Sequence, residues 1–155
     1  MEAEVAWHKR LTFTGTAETG FKLPLGADLN VGGDNDGFRP MELFAIGLAG
    51  CTAMDVISIL QMKRQDVTAF DVKVHAEQVE EHPQVFTRAV IEYSITGHGV
   101  EEAAVVRSIE LSATRYCPAQ GMFRRIMPIE LKYVIYEQMG DGKQLLVKSG
   151  TYNQL

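Results

Sequence analysis

Apolar and polar positions alternate along the chain as far as Leu25. Residues 2–8 and 10–16 carry strand-forming side chains, and Phe21-Lys22-Leu23-Pro24-Leu25 keeps the alternation. This predicts a three-strand meander, with turns near Lys9 and at Glu18–Gly20. Residues 26–39, with Gly26, Gly32, Gly33, Asp34, Asn35, Asp36 and Gly37, read as a loop by turn chemistry. Pro40 then opens a helix over about 41–64, since proline suits the first helical position. Lys63 and Arg64 fall where a helix C-terminus favours cations. Apolar residues from Leu43 to Leu60 cover most of this helix's circumference. A helix apolar nearly all round must be covered on most sides, which one short sheet cannot do, so a partner subunit is expected.

Two strands follow, at about 67–81 and 84–96, joined at His82-Pro83-Gln84. Gly97-His98-Gly99 breaks the chain. From Val100 to Cys117 the apolar residues Val106, Ile109, Ala113 and Cys117 recur at helical spacing, and Pro118 ends or kinks the helix. A short helical piece over 119–127, a strand over 128–136, a turn at Gly140–Gly142 and a strand or tail over 144–155 complete the chain. No repeat or linker interrupts it, which predicts a single α+β domain over 1–155.

The chain has 155 residues, 46% of them hydrophobic, and a net charge of −5. That is enough for one sizeable core. The acidic balance argues against nucleic acid or an anionic membrane as partner. The stretch from Leu43 to Leu60 is broken by Thr52, Asp55 and Ser58, which argues against a membrane span. Met1-Glu2-Ala3-Glu4-Val5 has no apolar signal-peptide region, so the expected compartment is the cytosol. A lasting structural disulfide is not expected there, whereas a transient catalytic one is allowed.

Candidate chemistry concentrates in the two cysteines. Cys51 lies within the long helix, in Leu48-Ala49-Gly50-Cys51-Thr52-Ala53-Met54, and Cys117 ends the second helix in Arg115-Tyr116-Cys117-Pro118. Cys51 alone reads as a small buried hydrophobe, whereas Cys117, at a helix end before proline, reads as readily either way. At about 100° per residue, Asp55 shares the face of Cys51, where a carboxylate works against a reactive thiolate. Glu42 comes about half a turn round from Cys51. Arg39 precedes the helix and is free of that geometry. A reactive Cys51 therefore needs a cation from another segment, with Arg39, Arg115, Arg124 and Arg125 as candidates. His8, His75, His82 and His98 show no ligand spacing with each other or with the cysteines, so neither a metal nor a cofactor is expected. No P-loop and no Gly-x-Ser-x-Gly is present.

Pro40-Met41-Glu42-Leu43-Phe44 leading to Ala49-Gly50-Cys51, then Cys117-Pro118 after the second helix, resembles the OsmC/Ohr family of osmotically inducible and organic hydroperoxide resistance proteins. The separation of the cysteines and the order of elements fit it over nearly the whole chain, and the wording is closer to the OsmC-like branch. The resemblance implies antiparallel sheets wrapped around long central helices in an intertwined homodimer. It also implies that Cys51 attacks an organic hydroperoxide and that Cys117 then closes a disulfide, which a dithiol reductant reopens. Peroxidase members carry an activating arginine in an early glycine-rich loop. Here Thr14-Gly15-Thr16-Ala17-Glu18-Thr19-Gly20 has none. They pair it with a glutamate at the position where this chain has Met41. Glu42 stands one residue later, and Arg39 is the substitute cation to consider. The alternative is a dimeric binding protein of the same fold that holds a small apolar ligand with little or no peroxidase activity. A third reading is a structural dimer with inert thiols.

Overall fold

The computed structural model describes residues 1–153 and divides into two compact units, one from Met1 to Phe44 and one from Ala45 onward. The first unit is the expected meander. Strands β1 (Ala3–Lys9), β2 (Thr12–Ala17) and β3 (Lys22–Leu25) pair antiparallel in that order. The first turn falls at Arg10, which adopts a positive φ of 43°. The second closes with Gly20 N–H donating to the Ala17 carbonyl at 2.8 Å.

Residues 26–39 form the loop, with one 3₁₀ turn at Leu29–Val31. Thr12 donates to Asp36 at 2.6 Å and Arg10 pairs with Asp34, so side chains at the β1–β2 turn hold the loop. A Cβ on Gly33 would lie 2.0 Å from the Ala27 carbonyl oxygen, so only glycine fits this close approach.

Helix α1 (Pro40–Met62) starts as its sequence demands. Pro40 occupies the first helical position, and the Glu42 carboxylate accepts the Arg39 main-chain N–H at 2.9 Å. This is the reciprocal half of a capping box, satisfying an N–H that the helix leaves open. Leu48, Thr52, Val56 and Leu60 recur every fourth residue and form its buried stripe. By length and apolarity α1 is long enough to cross a membrane, contrary to the expectation drawn from its three polar residues. Its stripe is instead part of the core of the second unit, and Thr52 on that stripe is fully buried.

The second unit contains a four-stranded sheet in the order β4 (Asp66–Gln78), β5 (Phe86–His98), β6 (Ile129–Gln138), β7 (Gln144–Tyr152). Pairings β4–β5 and β6–β7 are antiparallel. Pairing β5–β6 is parallel, because the chain between them makes a helical crossover rather than a hairpin. Alternate residues Ala89, Ile91, Tyr93 and Ile95 of β5, and Leu131, Tyr133 and Ile135 of β6, point into the core. Helix α2 (Glu102–Leu111) adds Ala104, Val105 and Ile109. The strand or tail expected over 144–155 is strand β7, and residues 154 and 155 lie outside the described residues.

The segment expected to be helical up to Cys117 is not one regular helix. After α2 the chain makes a π-helical turn at Ser112–Tyr116, in which Cys117 N–H donates to the Ser112 carbonyl at 2.9 Å. Such turns insert an extra residue and re-aim the chain beyond them. Pro118 then opens the short helix α3 (Pro118–Phe123) at its first position.

Candidate functional site

Cys117 sits at the N-cap of α3. Its Sγ accepts the Gln120 main-chain N–H at 3.4 Å, the place a serine oxygen commonly takes. The π turn before it and the proline after it set this position. Both thiols are reduced, Cys51 half-buried on α1 and Cys117 buried. The Cys51 side chain adjoins the Cys117 thiol closely enough to act on it. Burial pushes the Cys117 thiol from its ordinary 9.0 up to about 12, and the neighbouring Cys51 and Asp55 add to the rise against the lowering effect of the Gln120 N–H. Cys117 is therefore held as a neutral thiol beside Cys51.

A buried polar cluster adjoins the pair. Thr52 Oγ1 lies 2.7 Å from the Tyr93 hydroxyl and 2.9 Å from the Ser112 hydroxyl. The Gln120 side-chain amide donates to Thr52 at 2.9 Å and reaches the Tyr93 hydroxyl at 3.4 Å. Ser112 donates to the Asp55 carboxylate at 3.0 Å. Thr52, Ser112 and Gln120 are all buried, and burial pushes the Tyr93 phenol above its ordinary value of 10.0. Every described buried side-chain nitrogen and oxygen has a hydrogen-bond partner.

Of the four residues singled out from the sequence, the fold brings Cys51 and Cys117 together in the second unit. Arg39 and Glu42 belong to the first unit, where each has local work. Glu42 caps α1. The Arg39 guanidinium pairs with Asp28 and Asn35 and donates to the Gly37 carbonyl at 3.0 Å. Among the other candidate cations, Arg124 donates to the Ala113 carbonyl at 3.1 Å, and the Arg115 guanidinium lies 5.5 Å over the Tyr116 ring. Among the described residues no group of three or more His, Cys, Asp or Glu side chains is placed to hold a metal ion.

Thr52, Tyr93, Ser112 and Gln120 were not singled out from the sequence. Periodicity offers a signal for two of them: Thr52 lies between Leu48 and Val56 on the buried stripe of α1, and Tyr93 between Ile91 and Ile95 on β5. Asp55, on the face of Cys51 as the helix geometry predicts, joins this cluster through Ser112. A cavity of about 380 Å³ opens beside it, lined by Met54, Asp55, Ser58, Ile59, Met62 and Tyr116.

An α+β chain with a neighbouring pair of free thiols, one on a long apolar helix and one at a helix cap, is a two-cysteine protein by fold and site. The chain belongs to the OsmC-like protein family, whose profile matches residues 33–132. Protein YhfA of Escherichia coli strain K12 is 37% identical over 135 residues, covering 87% of this chain and 98% of that protein. A hypothetical protein of Aquifex aeolicus VF5 superposes with a TM-score of 0.77 at 25% identity, covering 89% of this chain and 97% of that one. An organic hydroperoxide resistance protein of Elizabethkingia anophelis superposes with a TM-score of 0.61 at 17% identity, covering 86% and 92%, which is a likeness of fold.

Proposed function

We propose that this protein is a thiol-dependent peroxidase of organic hydroperoxides, working through Cys51 and Cys117. The observation that carries this reading is that Cys51 adjoins Cys117 although the two come from distant parts of the chain: Thr52, next to Cys51, is bonded to Gln120, whose main-chain N–H is on the Cys117 sulfur. Two inert core thiols have no need to meet. The Cys51 thiolate attacks the outer oxygen of the hydroperoxide, the O–O bond breaks, and the alkoxide takes a proton to leave as an alcohol. Cys51 is left as sulfenic acid. Cys117 then attacks the Cys51 sulfur, and its proton leaves with the sulfenate hydroxyl as water, closing the disulfide. A dithiol reductant reopens it by exchange, a requirement that suits the reducing cytosol.

Half-exposed Cys51 is suited to meet the oxidant, and buried Cys117 to wait for it. The apolar cavity beside Asp55, one turn beyond Cys51, is suited to an alkyl or aryl substituent of the hydroperoxide. The same cavity favours the second reading, retention of a small apolar ligand. We take the working form to be a homodimer. Ile46, Met54 and Met62 of α1 are exposed in the single chain, an apolar surface that a second copy would cover.

The test is consumption of alkyl and aryl hydroperoxides by the fully reduced protein with a dithiol present. Cys51→Ser should abolish it, and Cys117→Ser should leave a sulfenate that a dimedone-type reagent captures. No consumption by the wild type, together with retention of an apolar ligand in Cys51→Ser, would favour the second reading.

A further inference from the structure

The buried polar cluster admits one assignment of its protons when Asp55 is ionised. Ser112 gives its only hydroxyl proton to the Asp55 carboxylate at 3.0 Å, so toward Thr52 it accepts. Thr52 therefore donates to Ser112 and has no proton left for Tyr93, which must donate to it across 2.7 Å. The Gln120 amide donates to Thr52 as well, at 2.9 Å. The Thr52 hydroxyl is then saturated, with one proton given and both lone pairs taken. A glutamine 1% exposed costs stability unless such bonds are made, and a leucine or methionine would fill the space without that risk.

What Gln120 joins gives the cluster its meaning. Its side chain is fixed to Thr52, the residue after Cys51 on α1, and approaches Tyr93 on β5. Its main-chain N–H is on the Cys117 sulfur. One residue thus grips both cysteine-bearing elements. We propose that Gln120 is a positioning residue that holds the Cys117 sulfur against Cys51 for disulfide closure. This rests on the reading of the two cysteines as a redox couple. Pre-set geometry of this kind raises the rate of an intramolecular step without altering the groups that react.

The experiment uses the full reduced chain and an aromatic disulfide, 5,5′-dithiobis(2-nitrobenzoate), in place of the hydroperoxide. Cys51 attacks the reagent, releasing one thionitrobenzoate and leaving a mixed disulfide on Cys51. Cys117 then attacks the Cys51 sulfur, releasing a second thionitrobenzoate and a proton and forming the Cys51–Cys117 disulfide. Gln120→Met keeps the volume and removes the amide. It should slow the second release at least tenfold while the first changes less than threefold. Thr52→Val should slow the second release similarly, and Thr52→Ser, which keeps the hydroxyl, should restore it. Should Gln120→Met fail to fold, the two Thr52 variants decide. Second releases as fast as wild type in Gln120→Met or Thr52→Val, or a Thr52→Ser variant as slow as Thr52→Val, would overturn the positioning role and leave the redox couple standing. A wild type that shows no second release would overturn the couple, and the positioning role with it.

Discussion

The side-chain amide of Gln120 donates a 2.9 Å hydrogen bond to the hydroxyl of Thr52, across the core of the second unit. The bond joins the turn of α1 that carries Cys51 to the helix that Cys117 caps. The two thiols are thus embedded in a frame of satisfied polar groups, and several consequences can be measured.

Alkylation should be ordered. Cys51 is half-buried, whereas Cys117 is buried and its thiol is pushed up to about 12. At pH 8 a group of that kind is ionised in about one molecule in ten thousand. Limiting iodoacetamide followed by peptide mapping should therefore label Cys51 at least a hundredfold faster than Cys117. Equal labelling would contradict the buried setting of Cys117.

Stability should fall in alkali. The unfolded chain begins to lose the Cys117 proton near 9.0, while the folded chain keeps it until about 12. Between those values the native state binds more protons than the unfolded one, so the free energy of unfolding declines as pH rises. The stability that Cys117 contributes is complete below pH 9 and is lost on the way to pH 12. The raised Tyr93 phenol acts in the same direction, starting near its ordinary 10.0. The urea midpoint at pH 10.5 should lie below that at pH 7.5, and Cys117→Ser, which does not titrate, should shrink the difference.

Tyr93→Phe should destabilise the fold by about 1–2 kcal/mol, the usual effect of removing one partner from a buried hydrogen bond. The ring and its packing remain, so thermal or urea unfolding should stay cooperative. A loss near zero would mean that the Thr52 hydroxyl finds another donor.

Glu42 separates a helix cap from a catalytic role. Its carboxylate accepts the Arg39 main-chain N–H at 2.9 Å, an interaction glutamine can also make. Glu42→Ala should cost about 1 kcal/mol in thermal unfolding, and Glu42→Gln should cost less. Full stability but no hydroperoxide turnover in Glu42→Gln would show that its charge serves the chemistry.

Most of the fold could be read from the chain. The meander is explained by alternation and turn residues, α1 by Pro40 and the long apolar run that follows it, and the long strands by runs of β-branched side chains. These features are local: each depends on backbone preferences and on neighbours a few residues away. The π turn at Ser112–Tyr116 escaped, because a helix and a helix with one extra residue per turn share nearly the same apolar spacing. The parallel β5–β6 pairing escaped for another reason, since the sequence between two strands tells that they are separated and not which way the second returns.

The site divides along the same line. The identity of the two cysteines and of their flanking residues is written in short segments and is legible at once, whereas Glu42, expected near the chemistry, proves to cap α1. That Cys51 and Cys117 adjoin, that Cys117 is held neutral, and that Thr52, Tyr93, Ser112, Gln120 and Asp55 form one hydrogen-bonded cluster depend on packing α1, β5, the π turn and α3 together. A polar side chain in an apolar run announces only that it needs a partner. Which partner it finds is a matter of distance and direction in the folded core, where an unmet hydrogen bond is costly and each hydroxyl has a single proton to give.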